Sequence, residues 1–157
     1  MIRHIALIDS QRGLAKDGDQ PAHLKTDQAY FREKTMSSGG NVLMGRTTFD
    51  VIGVLKGRQN FVASHHLKAS NDVTVVPDVA TFLREFKEDV WIIGGAAIFS
   101  LTLQYADELY ITKMEHDFGC DQFYPQYQEM FTLISTSEPL TEENIRYRFY
   151  VYRRKLT

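Results

Sequence analysis

The sequence predicts an α/β fold: a central, mostly parallel sheet with an antiparallel C-terminal edge and helices on both faces. Three observations carry this. Short runs of β-branched and apolar residues alternate with helical patterns for most of the chain's length. Two of those runs, Asn41-Val42-Leu43-Met44 and Val90-Trp91-Ile92-Ile93, are almost continuously apolar, as strands covered on both faces are. The final run, 145–155, alternates polar and apolar residues, which suits an antiparallel pair with one wet face.

Taken in order, Ile2 to Ile8 reads as a strand and Asp9 to Gln20, polar with Gly13 and Gly18, as a long loop of the kind that often serves as a lid. Pro21 leads into a helix that ends near Thr35, and Ser37 to Gly40 is a turn. Asn41 to Met44 is a strand ended by Gly45, and Arg46-Thr47-Thr48-Phe49 opens a short helix with Thr47 as N-cap. Ile52 to Gly57 is a loop, Asn60 to Ala63 and Val73 to Val76 are strands, and Asp78 to Phe86 is an amphipathic helix. Val90 to Ile93 is a strand, Ala96 to Gln104 a helix, and Ala106 to Thr112 a strand. Phe131 to Ser137 and Ile145 to Lys155 are two closing strands. No repeat or linker interrupts the pattern, so residues 1–157 are expected to form one domain.

Length and composition exclude several classes. A chain of 157 residues with 43% hydrophobic and 24% charged residues has the make-up of an ordinary water-soluble domain. Its net charge of −2 argues against nucleic-acid binding by phosphate neutralisation. Arg153-Arg154-Lys155 reads as a solvated run. The lone Cys120 cannot form an internal disulfide, and the five histidines make no metal-ligand pattern, so no metal is expected. No apolar run approaches the roughly 20 residues a membrane helix needs. The N-terminus enters a strand with no signal-peptide pattern, so a cytoplasmic location is expected.

Within the helix after Pro21, Leu24, Asp27 and Phe31 share one face. A carboxylate on an apolar stripe is costly unless something pairs with it. Asp27 either complements the helix dipole from the first turn or faces a pocket and binds a ligand. In two places, Met44-Gly45-Arg46-Thr47 and Ile93-Gly94-Gly95-Ala96, an apolar strand runs into glycine and a helix start. Glycine allows close backbone approach, and helix N-termini present N–H groups to anions. Each alone reads as a tight turn; together they fit a ligand with more than one phosphate, such as a dinucleotide, without a GxGxxG fingerprint. Arg46 stands in a first turn, where a cation opposes the dipole, and that placement suggests a nearby anion.

The order and spacing of these motifs resemble dihydrofolate reductase of the bacterial chromosomal type, in a divergent form. The resemblance runs nearly end to end. It covers Ile5-Ala6; Pro21, Leu24, Asp27, Phe31 and Thr35; Met44-Gly45-Arg46 with Thr48-Phe49; and Ile52-Gly53. It continues with Leu55, Gly57-Arg58 and Asn60; Ile92-Ile93-Gly94-Gly95; Leu109 to Thr112; and Asp121 with Tyr124-Pro125.

The resemblance implies reduction of 7,8-dihydrofolate to tetrahydrofolate by hydride transfer from NADPH, with Asp27 promoting pterin protonation and Thr112 supporting it. It implies that Ile5, Leu7, Gln28, Phe31, Arg32, Ile52, Leu55, Ile93 and Phe99 line the substrate site. Arg58 is expected to pair with the substrate's α-carboxylate, a bidentate task suited to guanidinium. Leu7, Leu14, Gly45, Arg46, Thr47, Thr48, Ser64, His65 and His66 are expected on the cofactor. So are Ile93, Gly94, Gly95, Ala96, Ala97, Ile98 and Phe99, with a cis peptide between the paired glycines. Asp121 is expected to hold a mobile loop over the nicotinamide. The expected partner is the small-molecule substrate, with no nucleic acid or membrane, and the chain is expected to act as a monomer.

The chain departs from the family pattern at several positions. Ala22 stands where tryptophan is usual, Leu14-Ala15 where Ile-Gly is usual, Phe99 where tyrosine is usual, and His65 where a small polar residue is usual. Asp17-Gly18-Asp19 makes the first loop acidic. The competing readings are a same-fold reductase of another pterin or a pyrimidine, and a nucleotide-binding module without catalysis. The first gives no reason to keep Asp27, Thr112 and Arg58 together; Asp27 argues against the second, and Ala22 and Phe99 speak for it.

Overall fold

A computed structural model of the chain describes residues 1–156. The strands are β1 (Ile2–Ile8), β2 (Gly13–Ala15), β3 (Asn41–Gly45), β4 (Gln59–Ala63), β5 (Val73–Val76) and β6 (Val90–Ile92). They continue with β7 (Glu108–Met114), β8 (Gln122–Phe123), β9 (Phe131–Thr136), β10 (Leu140–Glu142) and β11 (Ile145–Arg154). The helices are α1 (Lys25–Met36), α2 (Arg46–Ile52), α3 (Val79–Glu85) and α4 (Ala96–Thr102), the last running into a 3-10 turn at Leu103–Tyr105.

The main sheet has the order β10-β11-β7-β1-β6-β3-β4-β5, with β9 also paired to β11. Neighbours from β7 through β5 are parallel, and β9, β10 and β11 form the antiparallel edge. Period-two alternation splits β1 between two cores. Ala6 and Ile8 face α3 and α4 beside Leu43, Ile92, Phe99 and Ile111. Ile5 joins Val42, Met44 and Trp91 under Phe31 of α1 and Phe49 of α2, and Leu7 joins Ala22, Leu24 and Tyr147. The two helical layers thus cover opposite faces.

Strand β6 is short. Its register ends at Ile92, opposite His4 of β1 and Leu43 of β3, while those two strands run on to Ile8 and Gly45. Beyond Ile92 the chain still bonds β3, through Ile93 N–H to the Leu43 carbonyl and Gly45 N–H to the Gly94 carbonyl, but no longer pairs with β1. A crevice therefore opens between β1 and the end of β6, the kind of place where open α/β sheets bind ligands.

Several expected boundaries move. The helix begins at Lys25, not directly after Pro21, and Leu24 precedes it as a buried residue. Gly45, not Thr47, is the N-cap of α2; Thr47 lies in the first turn. Helix α4 ends at Thr102, short of Gln104. The 9–20 loop holds β2, paired antiparallel with β8. Among the described residues, no helix is long and apolar enough to cross a membrane.

Candidate active site

Helix α1 brings Asp27 to the crevice. Thr112 reaches the same place from β7, which pairs with β1 so that Leu7 lies opposite Thr112. Desolvation pushes Asp27 up to about 6; the Thr112 hydroxyl opposes the rise and the Glu142 carboxylate adds to it. A carboxyl group poised this way is a proton store near neutrality. The face behind it is aromatic: Tyr30 of α1 stacks on Phe149 of β11 with ring centroids 4.0 Å apart, and Phe149 is the register partner of Thr112.

Two cations flank the outer end of this face. Arg58 donates from Nη1 to the Thr35 hydroxyl at 3.0 Å, and that hydroxyl donates to the Phe31 carbonyl at 2.7 Å. Burial lowers the Arg58 guanidinium, and Arg32 adds like-charge repulsion. A neighbouring anion would relieve that repulsion. The segment carrying Leu55 and Arg58 is pinned by buried Asn60. Its Oδ1 accepts from Leu55 N, and its Nδ2 donates to the carbonyls of Leu55 and Arg58.

The other side of the crevice is built by glycine. Gly45 N–H donates to the Gly94 carbonyl at 2.8 Å, joining the ends of β3 and β6. A Cβ on Gly45 would lie 2.8 Å from Ile98 Cγ1, so only glycine lets α4 pack there. The Gly94–Gly95 peptide is cis. Gly45 and Gly95 are the N-caps of α2 and α4, and neither helix start is capped by a side chain. The Thr48 hydroxyl sits beside Gly95, 3.2 Å from where its Cβ would be. Arg46 is less free than its placement suggested, because its Nε donates to Asp50 at 2.9 Å one turn on. Ser64 Oγ accepts from His66 N and Leu67 N, and His65 and His66 are exposed.

A loop cluster closes the end of β1. Asp9, fully buried, accepts from the N–H groups of Gln11, Gly13 and Phe118 and from the Cys120 thiol. Desolvation opposes its ionisation, but those donors outweigh it and hold Asp9 below the ordinary carboxylate value. Asp121 accepts from Asp17 N–H at 3.1 Å, and its own N–H donates to the Ala15 carbonyl.

Of the expected substrate residues, Ile5, Phe31, Leu55 and Ile93 pack in one cluster, Leu7 lies opposite Thr112 in the β1–β7 register, Thr112 neighbours Asp27, and Arg58 neighbours Arg32. Gln28 is exposed on α1, and Ile52, 44% exposed, ends α2. Phe99 is buried: it packs in the core with its ring 5.0 Å from those of His4 and Tyr124. Leu14, on β2, leans on the same core. Two residues had no place in the sequence reading. Asp9 had a weak signal, a carboxylate directly ending an apolar strand. Glu142 had none, because its neighbour Thr26 is 116 residues away.

The comparisons with known proteins agree with this architecture. The family model described as dihydrofolate reductase matches residues 1–154. The dihydrofolate reductase of Bacillus subtilis is 34% identical over 163 residues, covering 99% of this chain and 95% of the relative. That of Haemophilus influenzae is 35% identical, covering 90% and 91%. A dihydrofolate reductase type 3 of Salmonella typhimurium is 35% identical, covering 81% and 80%. With its crevice, its paired glycine turns and a family match over almost its whole length, the chain belongs to the dihydrofolate reductase family.

Proposed function

We propose that the protein reduces 7,8-dihydrofolate to tetrahydrofolate using NADPH. The observation that carries the reading is Asp27, a half-buried carboxyl group raised to about 6 beside Thr112, one helical turn before Phe31. Its two oxygens match the paired N–H donors at the edge of a pterin ring, a bidentate contact of charge-assisted strength. Desolvation keeps a proton available near neutral pH, so Asp27 favours the protonated pterin, and Thr112 holds the carboxyl group in place. Phe31, Ile5, Leu7 and Ile93 exclude water around the ring. Arg58, aided by Arg32, takes the anionic tail.

The cofactor half fits NADPH. The leading N–H groups of α2 and α4 have no side-chain cap, and the two helix starts are tied where Gly45 N–H bonds the carbonyl of Gly94, next to the α4 N-cap Gly95. Such groups cradle phosphate oxygens. Arg46 keeps its two terminal nitrogens for the 2′-phosphate while Nε stays on Asp50, and Ser64, His65 and His66 lie on the next strand's exit. When bound, NADPH supplies the hydride that reduces the substrate.

The test is NADPH oxidation with dihydrofolate, run for the parent and Asp27→Asn across pH. The parent should turn over, prefer NADPH to NADH, and lose rate as pH rises through the Asp27 titration. Asp27→Asn should be impaired by at least about a hundredfold, the scale of a lost proton-transfer group. A parent that binds NADPH without reducing dihydrofolate overturns the substrate assignment.

A further inference from the structure

Helix α1 begins without a cap of its own. Its N-cap residue is Leu24, which has no side-chain acceptor, so the first N–H groups of the helix need a partner from elsewhere. That partner is Glu142, at the end of β10. Its Oε1 accepts from Thr26 N–H at 3.0 Å and from the Thr26 hydroxyl at 2.7 Å. Commonly the N-cap residue's own side-chain oxygen serves this purpose. Here Thr26, the residue directly before Asp27, is held by a carboxylate from another element, and Asp27 is left to face the crevice.

We propose that Glu142 is a positioning residue for Asp27: from the β10–β11 hairpin it caps α1, fixes the pose of the Asp27 carboxyl group, and places a permanent negative charge near it. This rests on the reading of Asp27 as the substrate-binding acid. Two carboxylates in one neighbourhood are driven apart in proton affinity. Hydrogen bonding to Thr26 lowers Glu142 below its ordinary value, whereas desolvation, with Glu142's charge adding to it, raises Asp27. Glu142 therefore stays ionised where Asp27 takes up a proton.

The other groups around Asp27 are Thr112 on β7, Tyr30 on its own helix and Tyr147 on β11. Both phenols stay neutral near pH 7, their ionisation disfavoured by burial. The Tyr147 hydroxyl is buried beside Thr26 and Glu142. Among these groups Glu142 alone carries charge in the neutral range, so it is the handle on Asp27's titration.

Glu142→Gln and Glu142→Ala separate the two roles. The amide keeps an acceptor for Thr26 and removes the charge; alanine removes both. The readout is the side-chain carboxyl carbon of Asp27, followed by NMR against pH in the substrate-free protein and assigned with Asp27→Asn. Glu142→Gln should melt close to the parent while the Asp27 midpoint moves to lower pH by a few tenths of a unit. The fall of kcat with rising pH should begin correspondingly earlier. Glu142→Ala should show the same acid shift together with a lower Tm and a raised KM for dihydrofolate. An Asp27 midpoint unchanged in both variants, with only Tm altered, would reduce Glu142 to a structural cap and overturn the proposal. The titration needs no turnover, so failure to reduce dihydrofolate would count against the functional reading alone.

Discussion

Asp27 should weaken the fold at neutral pH. Its folded-state value of about 6 lies above the ordinary 3.8, so the folded state holds the proton more tightly than the unfolded chain. The favourable contribution is complete below the unfolded value and disappears as pH rises through 6. The displacement corresponds to roughly 3 kcal/mol, an upper figure for a group that keeps some solvent contact. Asp27→Asn should therefore be more stable than the parent by about 1–3 kcal/mol at pH 8 and by less at pH 5, read by urea unfolding at both. An equal gain at both values would mean that desolvation is not what raises Asp27. His4 works in the opposite direction. Thr102 Oγ1 donates to the Ile98 carbonyl, so toward His4 it must accept; His4 Nε2 carries the proton and Nδ1 accepts from Tyr124. Burial, with Arg154 adding to it, pushes His4 down to about 3. Its ring should show no titration between pH 8 and pH 5 by NMR. The carboxylate on an apolar face marked Asp27 in the sequence. Nothing marked His4, because its partners come from α4 and from the loop after β8.

At the scale of elements, the loop between α2 and β4 holds its shape through one side chain. Asn60 makes three hydrogen bonds to Leu55 and Arg58 from a position only 3% exposed. Asn60→Leu should cost roughly 2–3 kcal/mol, since it strands buried backbone groups. It should also raise the KM for dihydrofolate more than it lowers kcat, because Leu55 and Arg58 would lose their fixed placement. Unchanged KM with lowered stability would show that the loop's shape is set elsewhere. Elements that hold their own patterns were legible: β1, β3, β5 and α3 lie within a residue or two of where apolar periodicity puts them. Short pieces defined by distant partners were not. Strands β2, β8 and β10 span three, two and three residues, too few for a period to show. Thr47 has the side chain of an N-cap, yet the backbone turns at Gly45, where the Gly94 carbonyl receives its N–H. There a tertiary contact overrode a local preference. Likewise α1 starts at Lys25 because its cap comes from Glu142 rather than from Pro21 or its neighbours.

For the whole molecule, strand order is what local sequence carries least. Nothing in Val90-Trp91-Ile92 says that β6 inserts between β1 and β3, yet that insertion, and the parting of β6 from β1 after Ile92, create the crevice. The crevice has two walls that meet where Gly45 bonds Gly94. On one side lie Asp27, Phe31 and Arg58; on the other, the starts of α2 and α4. Gly45→Ala tests whether these walls act separately. The added methyl would sit 2.8 Å from Ile98 Cγ1 and force α4 away from β3. Overpacking of this kind costs about 1–3 kcal/mol. The Tm gain on adding NADPH should shrink in the variant, because ligand stabilisation follows affinity for the folded state. The gain from a folate analogue alone should stay close to the parent's, since Ile98 and α4 lie on the far side of the sheet from α1. An equal loss for both ligands would mean that α4 sets the geometry of the whole crevice, and that the substrate and cofactor walls move as one body.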